Sequence, residues 1–342
     1  MEKLAVVIFN LGGPTEEKEI KSFLFSLFYD KYILRIPNPF RWILAKFITV
    51  KRIKKAKDIY DKIGGGSPIL SETNKQAEAL YKKMIEYNCS NKEFNVFVSM
   101  RHSKPLISDT IEKLKDYNPD QIFLIPLYPQ YSSTTTRSFI EEFLKISFKN
   151  NIKSSIKYLC CYPDAHKFID AYIQLIKIKY EQAKLLGNPK IIFSAHSLPK
   201  RIIEKGDPYQ WQVEYTVQKI IDKLKIEYNL DWVISYQSRV GYSKWLTPYT
   251  EEEIIKASHQ HFPIILVPIT FVSEHSETLV ELDIIYKDIA RQNGCIGYFR
   301  VETLRNSELF IEYLAETCIK LLNSNSGRIS RICPEQFKEC IF

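Results

Sequence analysis

Short apolar or β-branched runs alternate with longer segments of 3.6-residue period along nearly the whole chain, the rhythm of βα units built around parallel strands. The runs predict strands over 4–9, 95–100, 121–125, 155–159, 190–194, 232–236, 264–267 and 295–299. The periodic segments predict helices over 15–28, 71–87, 106–117, 136–148, 164–183, 212–227, 251–258, 277–291 and 308–322. Eight strands at such regular spacing fit two sheets of four better than one large sheet. The expected architecture is therefore α/β, with two domains that each hold a parallel four-stranded sheet flanked by helices. The chain crosses near Leu159 and a last helix returns, giving 1–159 plus 308–342 as the first domain and 160–307 as the second. No internal repeat is visible by identity.

A length of 342 residues agrees with two domains. Hydrophobic residues at 45% and charged residues at 26% exclude a disordered or low-complexity chain. The net charge of +8 is concentrated in one place. Lys31, Arg35, Arg41, Lys46, Lys51, Arg52, Lys54, Lys55 and Lys57 form a run without a single acid, and taking these nine away leaves 39 basic against 40 acidic residues. No nucleic-acid-binding motif accompanies the run, so nucleic acid is not an expected partner. Phe40, Ile43, Leu44, Phe47 and Ile48 recur within it at helical spacing, predicting a short amphipathic helix capped by Asn38 and Pro39. Two readings fit that stripe equally: a helix packed on the core with its cations in water, or one that lies on a membrane surface or lines the mouth of an apolar pocket.

Seven cysteines are an odd number, and the start of the chain passes directly into an apolar run that Gly12-Gly13-Pro14 soon interrupts. No secretory leader is expected from this pattern, and a reducing compartment is. The longest uncharged stretch, 257–273, carries two histidines and two prolines and does not read as a membrane span.

Open α/β sheets carry their sites beyond the carboxyl ends of the strands. Asn10-Leu11-Gly12-Gly13-Pro14 follows the first strand, and Ile63-Gly64-Gly65-Gly66-Ser67-Pro68-Ile69 comes later. Taken alone, each glycine cluster reads as a tight turn, and neither ends as a P-loop does. Tyr128 to Thr136 combines tyrosines with a hydroxyl-rich run. That composition suits a large flat ligand and equally a loop leading to a helix cap. His196, in Phe193-Ser194-Ala195-His196-Ser197-Leu198-Pro199, directly follows a buried strand, where an imidazole can take a proton or a divalent metal. On position alone a strand-end histidine is more often structural. A second strand leads into Ser273-Glu274-His275-Ser276-Glu277, and Glu277, Glu281 and Asp288 are spaced by 4 and 7 along one helix face. A solvated acidic face explains most such rows; a strand end opposite another histidine also suits metal handling or proton relay.

Taken together, these motifs resemble the ferrochelatase family, whose members insert ferrous iron into a porphyrin. The likeness runs in order over essentially the whole chain: 10–14, 63–69, 128–132, 193–199, Gly206-Asp207-Pro208-Tyr209, Tyr236-Gln237-Ser238-Arg239-Val240-Gly241, and 267–283. It implies two Rossmann-like domains of the chelatase-like kind with a cleft between them. It also implies His196 and Glu277 as the central catalytic and metal-binding pair, and Glu281, His275 and Glu274 as groups of a proton or iron relay. Ile285 stands where some relatives carry another acid, which shortens that relay. Leu11, Lys62, Ser67, Tyr128 and Tyr131 are the porphyrin-binding residues by the same resemblance, with Lys62 where relatives often have arginine. The basic aromatic segment corresponds to the family's lip, which favours pocket mouth and membrane surface over a plain core helix.

The resemblance further implies protoporphyrin IX and Fe(II) as substrates and protohaem as product. The expected location is the cytoplasm, with peripheral contact to anionic membrane at its inner face. Some relatives bind a [2Fe-2S] cluster through tail cysteines, so Cys160, Cys161, Cys333 and Cys340 are its candidate ligands here. The competing assignments are a coproporphyrin or cobalt chelatase of the same fold and a non-catalytic tetrapyrrole carrier; a solute-binding protein is a distant third.

Overall fold

The computed structural model of the chain describes residues 2–87, 92–241, 243–323 and 331–341. Cys89 and part of the tail assigned to the first domain, 324–330 and 342, lie outside the described residues. The chain divides into two compact units, 1–161 with 311–332 and 341–342, and 162–310 with 333–340.

The first unit is built on β1 (Glu2–Asn10), β2 (Lys92–Met100), β3 (Gln121–Pro126) and β4 (Ser155–Tyr158), all parallel in the order β2-β1-β3-β4. From Leu4 onward β1 is buried without a break, as a strand covered on both faces requires, and its alternation-free apolar run is the sequence signature of that environment. Burying each such aliphatic side chain contributes about 1.5–3 kcal/mol. Around the sheet stand α1 (Ile20–Tyr29), α2 (Phe40–Asp61), α3 (Ile69–Glu86), α4 (Ile107–Tyr117) and α5 (Ser138–Lys149). Val7 and Phe9 of β1 and Leu124 of β3 pack with Ile111 and Leu114 of α4 and Phe139 and Phe143 of α5; the rings of Phe9 and Phe139 stack at 3.9 Å.

The basic aromatic segment differs from its expected form. The helix is not short but runs 22 residues, and Asn38 does not cap it; the Asn38 amide donates to the Tyr29 hydroxyl instead. Within α2 only Ala45, Thr49 and Tyr60 are buried. The large apolar residues of its first half stay outside, with Phe40 at 65%, Phe47 at 64% and Val50 at 63% exposure. In that half the buried positions are the small Ala45 and Thr49, and the bulky stripe faces outward. The second half packs conventionally, Tyr60, Ile53 and Ala56 meeting Ile20, Phe23 and Leu24 of α1.

Two of the glycines act by close approach and not merely as turns. Gly12 has φ +89°, and a Cβ there would stand 2.2 Å from Ser103 Oγ; a Cβ on Gly66 would stand 2.1 Å from the carbonyl oxygen of Thr15. The loops after β1 and after α2 are thereby pressed together, and the Ser67 amide donates to the Pro14 carbonyl at 2.7 Å.

The second unit repeats the plan with β5 (Lys190–His196), β6 (Asp231–Gln237), β7 (Ile264–Pro268) and β8 (Tyr298–Arg300), parallel in the order β6-β5-β7-β8. Its helices are α6 (His166–Lys184), α7 (Lys200–Glu204), α8 (Tyr209–Leu224), α9 (Thr250–His259) and α10 (Lys287–Gln292); α11 (Glu308–Asn323) follows and continues in the first unit's residues. β8 begins three residues later than expected, since the Cys295 amide is used to close the end of α10 on Ala290. The helix expected over 277–291 is two elements, a wide π-helix from Glu277 to Tyr286 and then α10. Leu282, Tyr286 and Ala290 reach the core formed by Ile192, Ile254, Ile264 and Leu266. Asp288 is exposed and pairs with Arg291 at 3.3 Å, so it drops out of the acidic row.

Residues 333–340 belong to the second unit and not to the first, to which the tail was assigned. Gln212 donates to the Cys333 sulfur at 2.9 Å, Trp211 meets Phe337 at 5.9 Å, and Glu339 donates its amide to the Gly206 carbonyl. These contacts seat the segment against the start of α8.

Candidate active site

In the second unit the strand ends gather the chemistry. His196 is the last residue of β5, and its backbone is held on both sides. Its amide donates to Thr270 Oγ1 at 3.3 Å, and its carbonyl accepts from the Tyr209 hydroxyl at 2.8 Å. Nδ1 lies 2.6 Å from the Ser197 carbonyl. A carbonyl can only accept, so Nδ1 carries a proton, and in the neutral ring Nε2 presents a bare lone pair. That lone pair faces Oε1 of Glu277 at 3.6 Å, beyond hydrogen-bond range.

Glu277 opens the π-helix that follows β7. Its Oε2 is 3.9 Å from Nε2 of His275, and both this oxygen and Nδ1 of His275 are buried without a hydrogen-bond partner. Burial pushes His275 down more strongly than Glu277 and Glu274 pull it up, so its imidazole favours the uncharged form. Two imidazoles and a carboxylate thus stand near one another with unspent lone pairs, a set that can accept protons.

Glu281 is the next carboxylate along the π-helix. It accepts the Ser238 amide at 3.0 Å, the Ser238 hydroxyl and the Tyr286 hydroxyl at 2.9 Å. Burial, seconded by the charge of Glu277, raises its pKa despite those bonds. Glu274 is differently employed: its Oε1 accepts from Arg300 Nη1 at 2.6 Å and from the Thr303 amide at 3.0 Å. Burial would raise its pKa, but Arg300 and these donors hold it below the ordinary range. An ion-paired carboxylate of this kind anchors the chain and is a poor relay, which corrects its expected role.

The porphyrin-binding candidates lie in the first unit. Leu11 is half-buried in the loop after β1, its carbonyl accepting from the His102 amide, and Lys62 is exposed at the end of α2. Ser67 is buried in the paired glycine loops, with Oγ accepting the Ile69 amide at 3.4 Å. Tyr128 is half-buried against the edge of Phe9, and burial pushes its phenol up. Tyr131 does not fit its expected role. At 0% exposure it is among the largest fully enclosed side chains and offers no face to a ring.

The four candidate cluster cysteines, Cys160, Cys161, Cys333 and Cys340, are divided between the two units. Among the described residues no group of three or more His, Cys, Asp or Glu side chains could hold a metal ion. Cys160 and Cys161 belong to the first unit and Cys333 and Cys340 to the second, and Cys333 is buried with its sulfur taking a hydrogen bond from Gln212. None of these four is in a disulfide.

Tyr209, Ser238, Tyr286 and Arg300 were not singled out as site residues from the sequence. Tyr209 and Ser238 sit inside motifs already noted, so a signal existed. Arg300 carried only its position at the carboxyl end of the last strand.

Comparison with known proteins bears on the fold and on the family. The SirB structure from Bacillus subtilis with Fe3+ superposes with a TM-score of 0.54 at 10% identity, covering 95% of this chain and 97% of that one, a likeness of fold. A ferrochelatase from Rickettsia bellii is 46% identical over 347 residues, 99% of this chain and 95% of its own. One from Wolbachia sp. subsp. Drosophila simulans is 50% identical over 319 residues, 93% and 99% respectively. The ferrochelatase family profile matches residues 3–322. The chain belongs to the ferrochelatase family.

Proposed function

We propose that this chain inserts Fe(II) into protoporphyrin IX to give protohaem, the last step of haem synthesis. The observation that carries the reading is the bare Nε2 of His196 facing Glu277 at 3.6 Å in a member of that family. Metallation removes two pyrrole protons as one Fe(II) enters, with no change of oxidation state at iron. The site must therefore supply a base and a metal-facing oxygen. His196 Nε2 takes a pyrrole proton, and Glu277, with Oε2 unspent, offers oxygen to the incoming ion. Glu281, whose raised pKa suits proton exchange nearer neutrality, carries protons away. To the first unit we assign porphyrin contacts at Leu11, Lys62, Ser67 and Tyr128, with Lys62 as a point charge for a propionate.

Peripheral attachment to anionic membrane completes the proposal. Among the described residues no helix is long and apolar enough to cross a membrane. The first half of α2 combines exposed Phe40, Trp42, Ile43, Phe47 and Val50 with Arg41 and Lys46. The test of function is anaerobic Fe(II) addition to protoporphyrin with the purified chain, followed by loss of porphyrin fluorescence. Loss at an enzyme-dependent rate, faster than with coproporphyrin, is expected. Bound porphyrin with no turnover would replace the assignment with a carrier.

A further inference from the structure

Arg300 ends β8 and is nearly enclosed, its side chain 11% exposed. Its guanidinium spans two carboxylates. Nε and Nη2 meet Oδ1 and Oδ2 of Asp283 at 2.8 and 2.6 Å, a two-pronged fork, while Nη1 meets Oε1 of Glu274 at 2.6 Å. Glu274 lies three residues before Glu277, and Asp283 six after it within the same π-helix. One cation therefore ties together the entrance and the middle of the element that presents Glu277.

The tie matters because the presented groups are weakly held themselves. Oε2 of Glu277 and Nδ1 of His275 have no hydrogen-bond partner, so both depend on their backbone for aim. Local bonds between Thr278 Oγ1 and the His275 backbone fix the first turn only. A π-helix is a rare form, found mostly as single-turn bulges, and ten residues of it call for outside support. A planar fork with five donors fits this double grip; a lysine could not make it.

We propose that Arg300 is a positioning residue for metal insertion, acting through Glu274 and Asp283 to fix where Glu277 stands relative to His196. The proposal rests on the assigned activity only for its kinetic consequence; the positional consequence stands by itself. Two variants test it, Arg300→Gln and the milder Asp283→Asn, which opens the fork at a carboxylate that is 34% exposed and leaves the Glu274 pair intact. In the crystal structure of Asp283→Asn, the 3.6 Å separation of His196 Nε2 and Glu277 Oε1 is expected to change or Glu277 to become disordered. In anaerobic kinetics kcat is expected to fall about tenfold, with KM for protoporphyrin held within roughly twofold. An unmoved Glu277, or a kcat within roughly twofold of wild type, overturns the proposal. If Arg300→Gln does not fold, Asp283→Asn decides. If the wild-type protein itself inserts no iron, the assigned activity fails while the separation in Asp283→Asn still decides the positioning role.

Discussion

Nε2 of His196 and Oε1 of Glu277 face each other at 3.6 Å, and the other imidazole nitrogen is already engaged by the carbonyl of Ser197. One lone pair, fixed in direction, is thus the only basic atom that imidazole presents. His196→Ala is expected to lower iron insertion by about a hundredfold or more, the usual worth of a positioned base. Porphyrin binding, read by fluorescence, should survive, because the ring's proposed contacts lie elsewhere in the chain. Wild-type turnover in this variant would remove His196 from the mechanism.

Glu281 gives the activity a pH signature. Its raised pKa keeps the carboxyl protonated to higher pH than an ordinary glutamate, and it must lose that proton before it can accept another. The rate should therefore rise with pH through a limb lying above the normal carboxylate range. Glu281→Gln cannot titrate and should show a lower, flat profile there; a limb that persists in the variant assigns it to another group.

A second carboxylate predicts stability instead. Burial alone would raise the pKa of Glu141, but hydrogen bonds from Lys31, Tyr32 and Arg137 overrule it and bring the carboxyl down to about 2. A depressed folded pKa stabilises above the ordinary value of 4.5, and that contribution drains away as pH falls from 4.5 towards about 2. Urea unfolding should find Glu141→Gln weaker than wild type near neutrality and equal to it at the acid end. The difference should shrink in high salt, since the group is partly exposed.

The sheets were legible in the sequence because parallel strands covered on both faces leave unbroken apolar runs such as Leu4 to Phe9 and Ile264 to Val267. His196 could be picked out because it ends a strand, and Glu277 and Glu281 because the motif after the next buried strand contains them. What failed had a common physical origin. Periodicity shows that Phe40, Ile43 and Phe47 share a face but not whether that face turns in or out, and it says nothing of a π-helix. Ring chemistry made Tyr131 look like a ligand contact, whereas burial is set by neighbours distant in sequence. Arg300 was silent for the same reason, its carboxylates lying 17 and 26 positions away.

For α2 the expected measurement is binding to anionic lipid vesicles. Neutralising Lys51, Arg52, Lys54 and Lys55 together should weaken sedimentation with phosphatidylserine vesicles by removing about 1 kcal/mol for each cation that lies near the surface. Undiminished binding after that change would move the membrane contact to another part of the chain.

The outward stripe of α2 also separates two demands that most helices must satisfy at once. Phe40, Phe47 and Val50 contribute little to holding the protein folded, since solvent reaches most of their surface, whereas Ala45, Thr49 and Tyr60 do the holding. Substitutions on the stripe can therefore change that outer surface at little cost to folding. The same number of changes on the Ala45 side would be judged first by stability. One helix thus carries a free surface on one face and a fastening on the other, and the two can be rewritten independently.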